Sequence, residues 1–327
     1  MGDKPLYPAM PYPSYARMDE ADLRALFAYL RQGVAPVARP TPANHLPFPI
    51  NQRWALRVWQ AAYLPEPSSF AWRADRDAEW NRGAYLVGTV GHCGACHTPR
   101  GVGYQEKAYD ERSAQYLTGA VTDHWFAGNL TGDPGGGLGR VDAATVASLL
   151  RTGRGGGLAV SGTMAEDVEE TLRHLTPQDA RAIADYLKGL PAQRLGGVYE
   201  PARRDGFGPA DGRYDAVSDT VGKATYQGFC MACHGPEGRG QPPAIPSLAG
   251  NPSVLARDPN NLVRMVVEGG RAPAVSGDAP VVMPGFAGTL TDVQIARALT
   301  YVRRSWGNGG QEVTTSEVGR LRAAIDR

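Results

Sequence analysis

The sequence predicts an all-α protein built from small helical units joined by long loops, and three observations support this prediction. Glycine and proline are abundant, at 41 and 26 of 327 residues, which favours loops and leaves little room for strands. A Met that precedes a capped helix recurs three times along the chain. Two Cys-x-x-Cys-His motifs each follow a short helical segment. At this length we expect two or three domains.

The charge balance and hydropathy exclude two classes of protein. The formal net charge is +1, so no strongly basic domain is available to bind nucleic acid. No apolar stretch approaches the roughly 18 residues that a membrane span requires. The first residues, MGDKPLYP, do not have the basic and apolar regions of an export signal.

The four cysteines all belong to the two motifs, CGACH at 93–97 and CMACH at 230–234. Covalent haem attachment requires two thiols that reach one edge of the porphyrin and an imidazole that follows at once. We therefore predict two covalently bound haem c groups. The predicted residues are Cys93, Cys96 and axial His97 for the first haem, and Cys230, Cys233 and axial His234 for the second.

Two alternatives use the same cysteines. Two Cys-x-x-Cys pairs could together form a four-cysteine zinc site, with the histidines incidental. The pairs are too far apart for the usual zinc-ribbon spacing, and each precedes a loop rich in Pro and Gly. A thioredoxin-like redox pair would require a βαβ context that is missing here.

A sixth ligand for each iron is predicted from the internal repeat. Met164 and Met283 each precede a helix, one with the N-cap Thr176 before Pro177 and the other with Thr291-Asp292. Both are predicted as axial haem ligands. The repeated pairs of Met and helix Tyr are Met10 and Tyr29, Met164 and Tyr186, and Met283 and Tyr301.

The other methionine, histidine and glycine-rich candidates for a ligand or binding role are interpreted as structural. Met265 is expected to fill a core, because an isolated Met most often does so. The histidines without a position in the repeat are expected on the surface or in loops; they are His45, His92, His124 and His174. The glycine-rich strings GDPGGGLG and RTGRGGG do not have the spacing of a phosphate-binding loop and are predicted to be loops at a haem edge.

These motifs and the segments around them resemble the cytochrome c subunit of membrane-bound quinoprotein alcohol dehydrogenases. Flavin-dependent gluconate and sorbitol dehydrogenase complexes share this type of subunit. The resemblance rests on MPYPSYARM, NRGAYLVGTVGHCGACHTPRG, YQGFCMACHGPEGRG and VVMPGFAGTLTD, among others. It implies class-I cytochrome c domains in tandem on the periplasmic side of a bacterial inner membrane. It also implies an electron carrier, not an enzyme, that accepts electrons from a quinoprotein or flavoprotein dehydrogenase subunit. The electrons would pass to ubiquinone or another terminal acceptor of the respiratory chain, with the membrane surface nearby.

The chain departs from the family in two respects, one of them local: Val141-Asp142 follow GLGR where the family usually has an aromatic residue. The family carries three haem motifs and this sequence has two. We expect either that the true start lies upstream, with the first motif and the export signal, or that the chain is a shortened paralogue. Met10 would then be a vestigial ligand, and a third haem would belong to the full-length family.

The resemblance also divides the chain. Residues 1–45 are the remnant of a first domain, held by packing on the second; 46–75 form a Pro- and aromatic-rich connector in a groove between domains. Complete cytochrome c domains are predicted over 76–195 and 214–308, with a linker over 196–213 and a solvated tail over 309–327. Gly83 and Gly222 are expected at helix crossings, and the Pro246 carbonyl is expected to accept the imidazole N–H of His234.

One alternative function stays open on the sequence alone. A dihaem cytochrome c peroxidase would leave one iron with an open or His-filled position. If both irons have His and Met ligands, no such position exists.

Overall fold

The computed structural model describes residues 5–8, 10–40, 45–49, 51–64, 70–122, 124–201, 216–273 and 282–325, and for 216–219 the backbone alone. Most of the linker predicted over 196–213 therefore lies outside the described residues. In the ranges described, the secondary structure is mostly helical and the strands are short, which confirms the prediction of a helical fold.

The helices are α1 Tyr12–Tyr15, α2 Glu20–Gln32, α3 Ala55–Tyr63, α4 Ala78–Gly88, α5 Gly94–His97, α6 Ala143–Thr152, α7 Thr163–Glu170, α8 Pro177–Lys188, α9 Ala216–Phe229, α10 Met231–His234, α11 Pro252–Leu255, α12 Asn260–Glu268, α13 Asp292–Arg304 and α14 Thr315–Ile325. The strands are β1 Ala120–Thr122, β2 Trp125–Ala127, β3 Arg154–Gly155, β4 Leu158–Ala159, β5 Val198–Tyr199, β6 Gly270–Arg271, β7 Val282–Met283 and β8 Asn308–Gly309. They pair antiparallel as β1-β2, β3-β4, β5-β8 and β6-β7.

The helix caps follow the sequence signals. The Thr176 side chain accepts a hydrogen bond from the amide of Asp179, and Pro177 occupies the first turn of α8. At the start of α13, Thr291 and Gln294 form a reciprocal capping box. Each cap satisfies amide groups that the first turn of a helix cannot pair internally.

Helices α4 and α8 cross at Gly83, as predicted. A Cβ on Gly83 would stand 2.0 Å from the carbonyl oxygen of Ala182, so only glycine allows this approach. The ring centroids of Trp80 and Tyr186 lie 5.1 Å apart beside the crossing. Tyr85 and Tyr186 are fully buried in the core that this helix pair closes.

Helices α9 and α13 repeat the arrangement at Gly222. A Cβ there would stand 2.4 Å from the carbonyl oxygen of Arg297. The Tyr226 and Tyr301 rings pack with centroids 5.5 Å apart, and Ile295 and Leu299 of α13 are buried.

The N-terminal segment packs on α4 at one end only. Tyr85 Oη donates to the Asp22 carboxylate at 2.6 Å, Arg17 donates to the carbonyl oxygen of Tyr109 at 2.6 Å, and Met18 is buried. Helix α2 contains no buried residue; Phe27 and Tyr29 are 67% and 63% exposed. The contacts agree with the expectation that this segment is held by its neighbour.

The aromatic connector lies between the N-terminal segment and α4. Trp59 Nε1 donates to the carbonyl oxygen of Gly103 at 2.6 Å, and its ring contacts Tyr12 edge-on. Phe70 is buried against Tyr85, with ring centroids 5.4 Å apart. The connector includes α3, a helix that the sequence analysis did not predict.

The prediction of a solvated tail over 309–327 is wrong. Val313 and Val318 are fully buried, and Leu321 and Ile325 of α14 pack on the same core. Arg322 donates to the carbonyl oxygen of Leu290 at 3.0 Å. Because the apolar residues recur every three to five positions, they form a stripe that covers α12 and α13.

The helix crossing yields a stability prediction with a control in the same helix. Gly222→Ala should lower the free energy of unfolding by about 1–3 kcal/mol, because the added methyl group overpacks against the α13 backbone. Gly228→Ala, in the same helix with open space around its Cβ position, should be neutral or stabilising by up to about 1 kcal/mol. Chemical denaturation of both variants measures the difference. Equal stability of the two variants would contradict a close crossing at Gly222.

Candidate haem sites

The first motif forms a single helical turn directly after α4. The Cys93 amide donates to the carbonyl oxygen of Val87 at 3.1 Å, and the His97 amide donates to that of Cys93 at 2.9 Å. This turn is α5, with Cys93 as its N-cap residue. Both cysteines and the histidine are therefore presented together, as attachment to one edge of a porphyrin requires.

The His97 ring is oriented by a backbone carbonyl. Its Nδ1 lies 2.7 Å from the carbonyl oxygen of Gly128. Because a carbonyl can only accept, the proton resides on Nδ1, and Nε2 keeps its lone pair for a metal. Burial lowers the pKa of His97, while the bond to Gly128 and the charge of Asp167 act in the opposite direction. A neutral imidazole of this kind is a suitable haem ligand.

The second motif repeats the geometry. The amide of Cys230 donates to the carbonyl oxygen of Tyr226 at 2.8 Å, and the amide of His234 donates to that of Cys230 at 2.9 Å. His234 Nδ1 lies 3.2 Å from the carbonyl oxygen of Pro246, the acceptor predicted from the sequence. Burial lowers the pKa of His234 as well.

Burial also keeps two of the attachment thiols, those of Cys93 and Cys230, uncharged. It raises the pKa of Cys93 to about 12 and that of Cys230 to about 11. Such thiols are poor thiolate ligands, whereas a thioether carries no charge to desolvate. Among the described residues, no group of three or more His, Cys, Asp or Glu side chains could hold a metal ion.

The Met283 segment lies next to the second motif. Met283 is on β7, where it pairs with Gly270 of β6. Three residues later, the Phe286 ring packs edge-on against Phe229, which immediately precedes Cys230, with centroids 6.0 Å apart.

The Met164 segment reaches the first motif through β2. A Cβ on Gly162 would stand 2.5 Å from the Trp125 ring, and β2 leads directly to Gly128, the acceptor for His97. Met164 itself is in α7, a helix that the sequence analysis did not predict because it took the Met to lie in a loop before α8. Asp167 of α7 interacts electrostatically with Cys96 as well as with His97.

Sequence reasoning missed two groups at the first motif. Gly128 acts through its carbonyl, which no residue type signals, and the Pro that identifies the acceptor at the second motif has no counterpart here. Glu106 is 7% exposed, and a Cβ on Gly94 would stand 2.5 Å from its Oε2. The Met10 side chain is 58% exposed.

Comparison with known proteins finds one matching sequence family and several similar proteins. The Cytochrome c sequence family matches residues 220–306. The gluconate 2-dehydrogenase cytochrome c subunit of Pantoea cypripedii is 40% identical over 97% of this chain and 73% of its own length. The cytochrome c subunit of alcohol dehydrogenase (quinone) from Gluconacetobacter polyoxogenes is 40% identical over 97% of this chain and 68% of its own length. The fructose dehydrogenase cytochrome subunit of Gluconobacter japonicus is 32% identical over 97% of this chain and 67% of its own length.

The motifs and the Cytochrome c match define a c-type cytochrome that binds haem c covalently and transfers electrons. The chain belongs to the family of cytochrome c subunits of alcohol, gluconate and fructose dehydrogenase complexes, which confirms the resemblance found in the sequence. These relatives are consistent with an electron-carrier subunit that is not itself catalytic, as the sequence predicted. They do not favour the peroxidase alternative.

In the part of the chain that the structure describes, no helix combines the length and the apolar character needed to cross a bilayer.

The environment of Glu106 yields a prediction on pH. Burial raises the pKa of this carboxyl from 4.5 to about 7. The fold therefore favours the protonated form: that contribution to stability is complete below pH 4.5 and is lost as the pH rises through about 7. Glu106→Gln keeps the neutral form at every pH. We expect it to match the unmodified protein at pH 4 and to exceed its free energy of unfolding at pH 8 by up to about 3 kcal/mol.

Urea denaturation at the two pH values measures this effect. Glu237→Gln is the matched control, because that side chain is 67% exposed. A difference between Glu106→Gln and the unmodified protein that does not change with pH would contradict the assignment.

Proposed function

We propose that this chain holds two haem c groups in tandem cytochrome c domains, over 76–195 and 214–308, and relays electrons between a dehydrogenase subunit and the respiratory chain. One observation carries the proposal. In each motif, two cysteines and a histidine lie on one helical turn, and a backbone carbonyl holds the histidine Nδ1. The bound haem supplies reversible one-electron chemistry, while the protein sets its position and potential.

Each domain would supply a complete ligand set from its own elements. The thiols of Cys93 and Cys96 would hold the first haem and those of Cys230 and Cys233 the second. His97 with Met164, and His234 with Met283, would provide the axial ligands. A thioether ligand raises the reduction potential relative to a second imidazole. The packing of Phe286 on Phe229 supports the second set, and the contact of Gly162 with Trp125 supports the first.

The partners proposed follow from the relatives. The catalytic subunit would be a quinoprotein or flavoprotein, and the acceptor would be ubiquinone or another terminal acceptor. The complex would work at the surface of the bacterial inner membrane, on the periplasmic side. The names of the relatives, which are cytochrome subunits of alcohol, gluconate and fructose dehydrogenases, support this placement.

Residues 1–45 are proposed to be the C-terminal part of a further domain of the same type, with Met10 as its methionine. The repeat supports this, because α2 carries Tyr29-Leu30 where α8 carries Tyr186-Leu187. The α8 pair is 1% and 3% exposed against α4, whereas the α2 pair is 63% and 56% exposed.

Haem counting tests the central claim. Expressed with export and haem attachment, the unmodified chain should carry two haems by intact mass. Cys93→Ala/Cys96→Ala and Cys230→Ala/Cys233→Ala should each carry one, because each pair of thioethers holds its own cofactor. Haem-stained denaturing gels check that the bond is covalent. Loss of both haems from either double variant, or bound zinc in place of haem, would contradict two independent sites.

Methionine substitutions test the axial ligands. Met164→Ala and Met283→Ala should each remove one of two Met-to-iron charge-transfer bands of the oxidised protein and lower one reduction potential, because water or a weaker ligand replaces the sulfur. Met265→Leu is the control and should keep both bands: its sulfur lies beside Gly270, the strand partner of Met283, but Met265 is not predicted as a ligand. If one methionine variant keeps both bands, that residue is not the ligand.

A further inference from the structure

The glycine-rich string RTGRGGG provides the first strand and the turn of a hairpin that contacts the second half of the chain. The proposed domains over 76–195 and 214–308 are called the first and the second unit below. Strands β3 and β4 are joined by Gly156 and Gly157, both with positive φ, at 54° and 77°. This is the two-residue turn that favours glycine at both positions. The base of the hairpin is fixed by α6, where Ser148 Oγ and Thr152 Oγ1 donate to the Arg154 carbonyl oxygen at 2.6 and 2.9 Å.

The tip of this hairpin hydrogen-bonds the peptide that holds His234. The Ser247 amide donates to the carbonyl oxygen of Gly157 at 2.8 Å. The carbonyl of the same peptide unit, on Pro246, accepts from His234 Nδ1 at 3.2 Å. One peptide group therefore joins the histidine of the second motif to a loop that belongs to the first unit.

The two hydrogen bonds reinforce each other. A peptide whose N–H donates carries more negative charge on its oxygen, and so it accepts more strongly. A stronger acceptor draws the Nδ1 proton away from the ring, which makes the imidazole a stronger electron donor to iron. Stronger donation stabilises the oxidised iron and lowers the reduction potential.

Contacts outside the hairpin also join the first unit to the second. Asn261 of α12 donates to and accepts from the backbone of Phe126 in β2, at 2.8 Å in both bonds. Glu169 of α7 pairs with Arg271 of β6, whose strand partner β7 contains Met283. Together with the Gly157–Ser247 hydrogen bond, these contacts join the two units.

We propose that the Gly157–Ser247 hydrogen bond is a positioning contact through which the first unit lowers the reduction potential of the haem held at His234. The inference rests on the proposed haem site at Cys230, Cys233 and His234. It assigns to the glycine-rich string a role in setting the potential of the neighbouring haem.

Three variants of the haem-loaded full chain test it. Ser247→Pro removes the donating N–H, and Gly157→Ala displaces the carbonyl because its positive φ is strained for alanine. Ser247→Ala is the control: it keeps the N–H and removes only the hydroxyl, which donates to the carbonyl oxygens of Gly238 and Ala249. Potentiometric titration measures both haem potentials, and NMR of the His234 ring identifies the haem and reports its Nδ1–H shift.

We expect the His234 haem potential to rise in both Ser247→Pro and Gly157→Ala, with an upfield shift of the Nδ1–H signal. A threefold change in the ratio of oxidised to reduced haem would correspond to about 28 mV, at 59 mV per tenfold change for one electron. The His97 haem and the Ser247→Ala protein should be unchanged.

The sign of the shift separates this role from simple loosening of the interface. Water admitted to the haem would stabilise the more highly charged oxidised iron and lower the potential. A lowered or unchanged potential in Gly157→Ala, with haem bound, would overturn the inference. Absence of haem from the peptide with Cys230 and Cys233 in the unmodified protein would instead overturn the proposed haem site.

Discussion

Close approach of two helix backbones at a glycine is the constraint on which the structure depends. Gly83 brings α4 against Ala182, and Gly222 brings α9 against Arg297. Each of these first helices leads into its Cys-x-x-Cys-His turn, and the helix that crosses it follows the methionine segment. The crossing therefore fixes the two halves of each proposed ligand set relative to each other. The aromatic pairs beside the crossings, Trp80 with Tyr186 and Tyr226 with Tyr301, fill the space that the small residue leaves around it.

The same plan is stabilised differently at the two motifs. At the second, a proline carbonyl accepts from the histidine, and its peptide is in turn bonded to a hairpin from the other unit. At the first, Gly128 provides the acceptor from within the same unit, at the end of β2. Glu106 adds a buried carboxyl beside Gly94. Two sites with one ligand chemistry can thus differ in their surroundings, which is how proteins set distinct haem potentials.

The sequence predicted those features whose chemistry is tied to residue type. The haem motifs, the caps at Thr176 and Thr291, the crossings at Gly83 and Gly222 and the Pro246 acceptor all depend on a particular side chain or on its absence. It did not predict α3, α7 or the Gly128 carbonyl, because tertiary packing selects them and many residue types would serve. The buried α14 was taken for a solvated tail because its apolar stripe is short and interrupted by charged residues. The two motif turns, predicted from the sequence, are present in the structure. The assignment of Met164 and Met283 as axial ligands stays a prediction.

The raised pKa of the Cys93 thiol has a consequence for how haem is attached to the protein. Addition of a cysteine to a haem vinyl group depends on its nucleophilic sulfur, and reactivity of thiols falls as the thiolate becomes scarce. In the folded chain, burial raises the pKa of Cys93 to about 12. A polypeptide that closed its helix crossing first would offer a poorly reactive sulfur in a confined space. Attachment of the haem at Cys93 is therefore expected to proceed faster in an open chain than in one whose helix crossing has already closed.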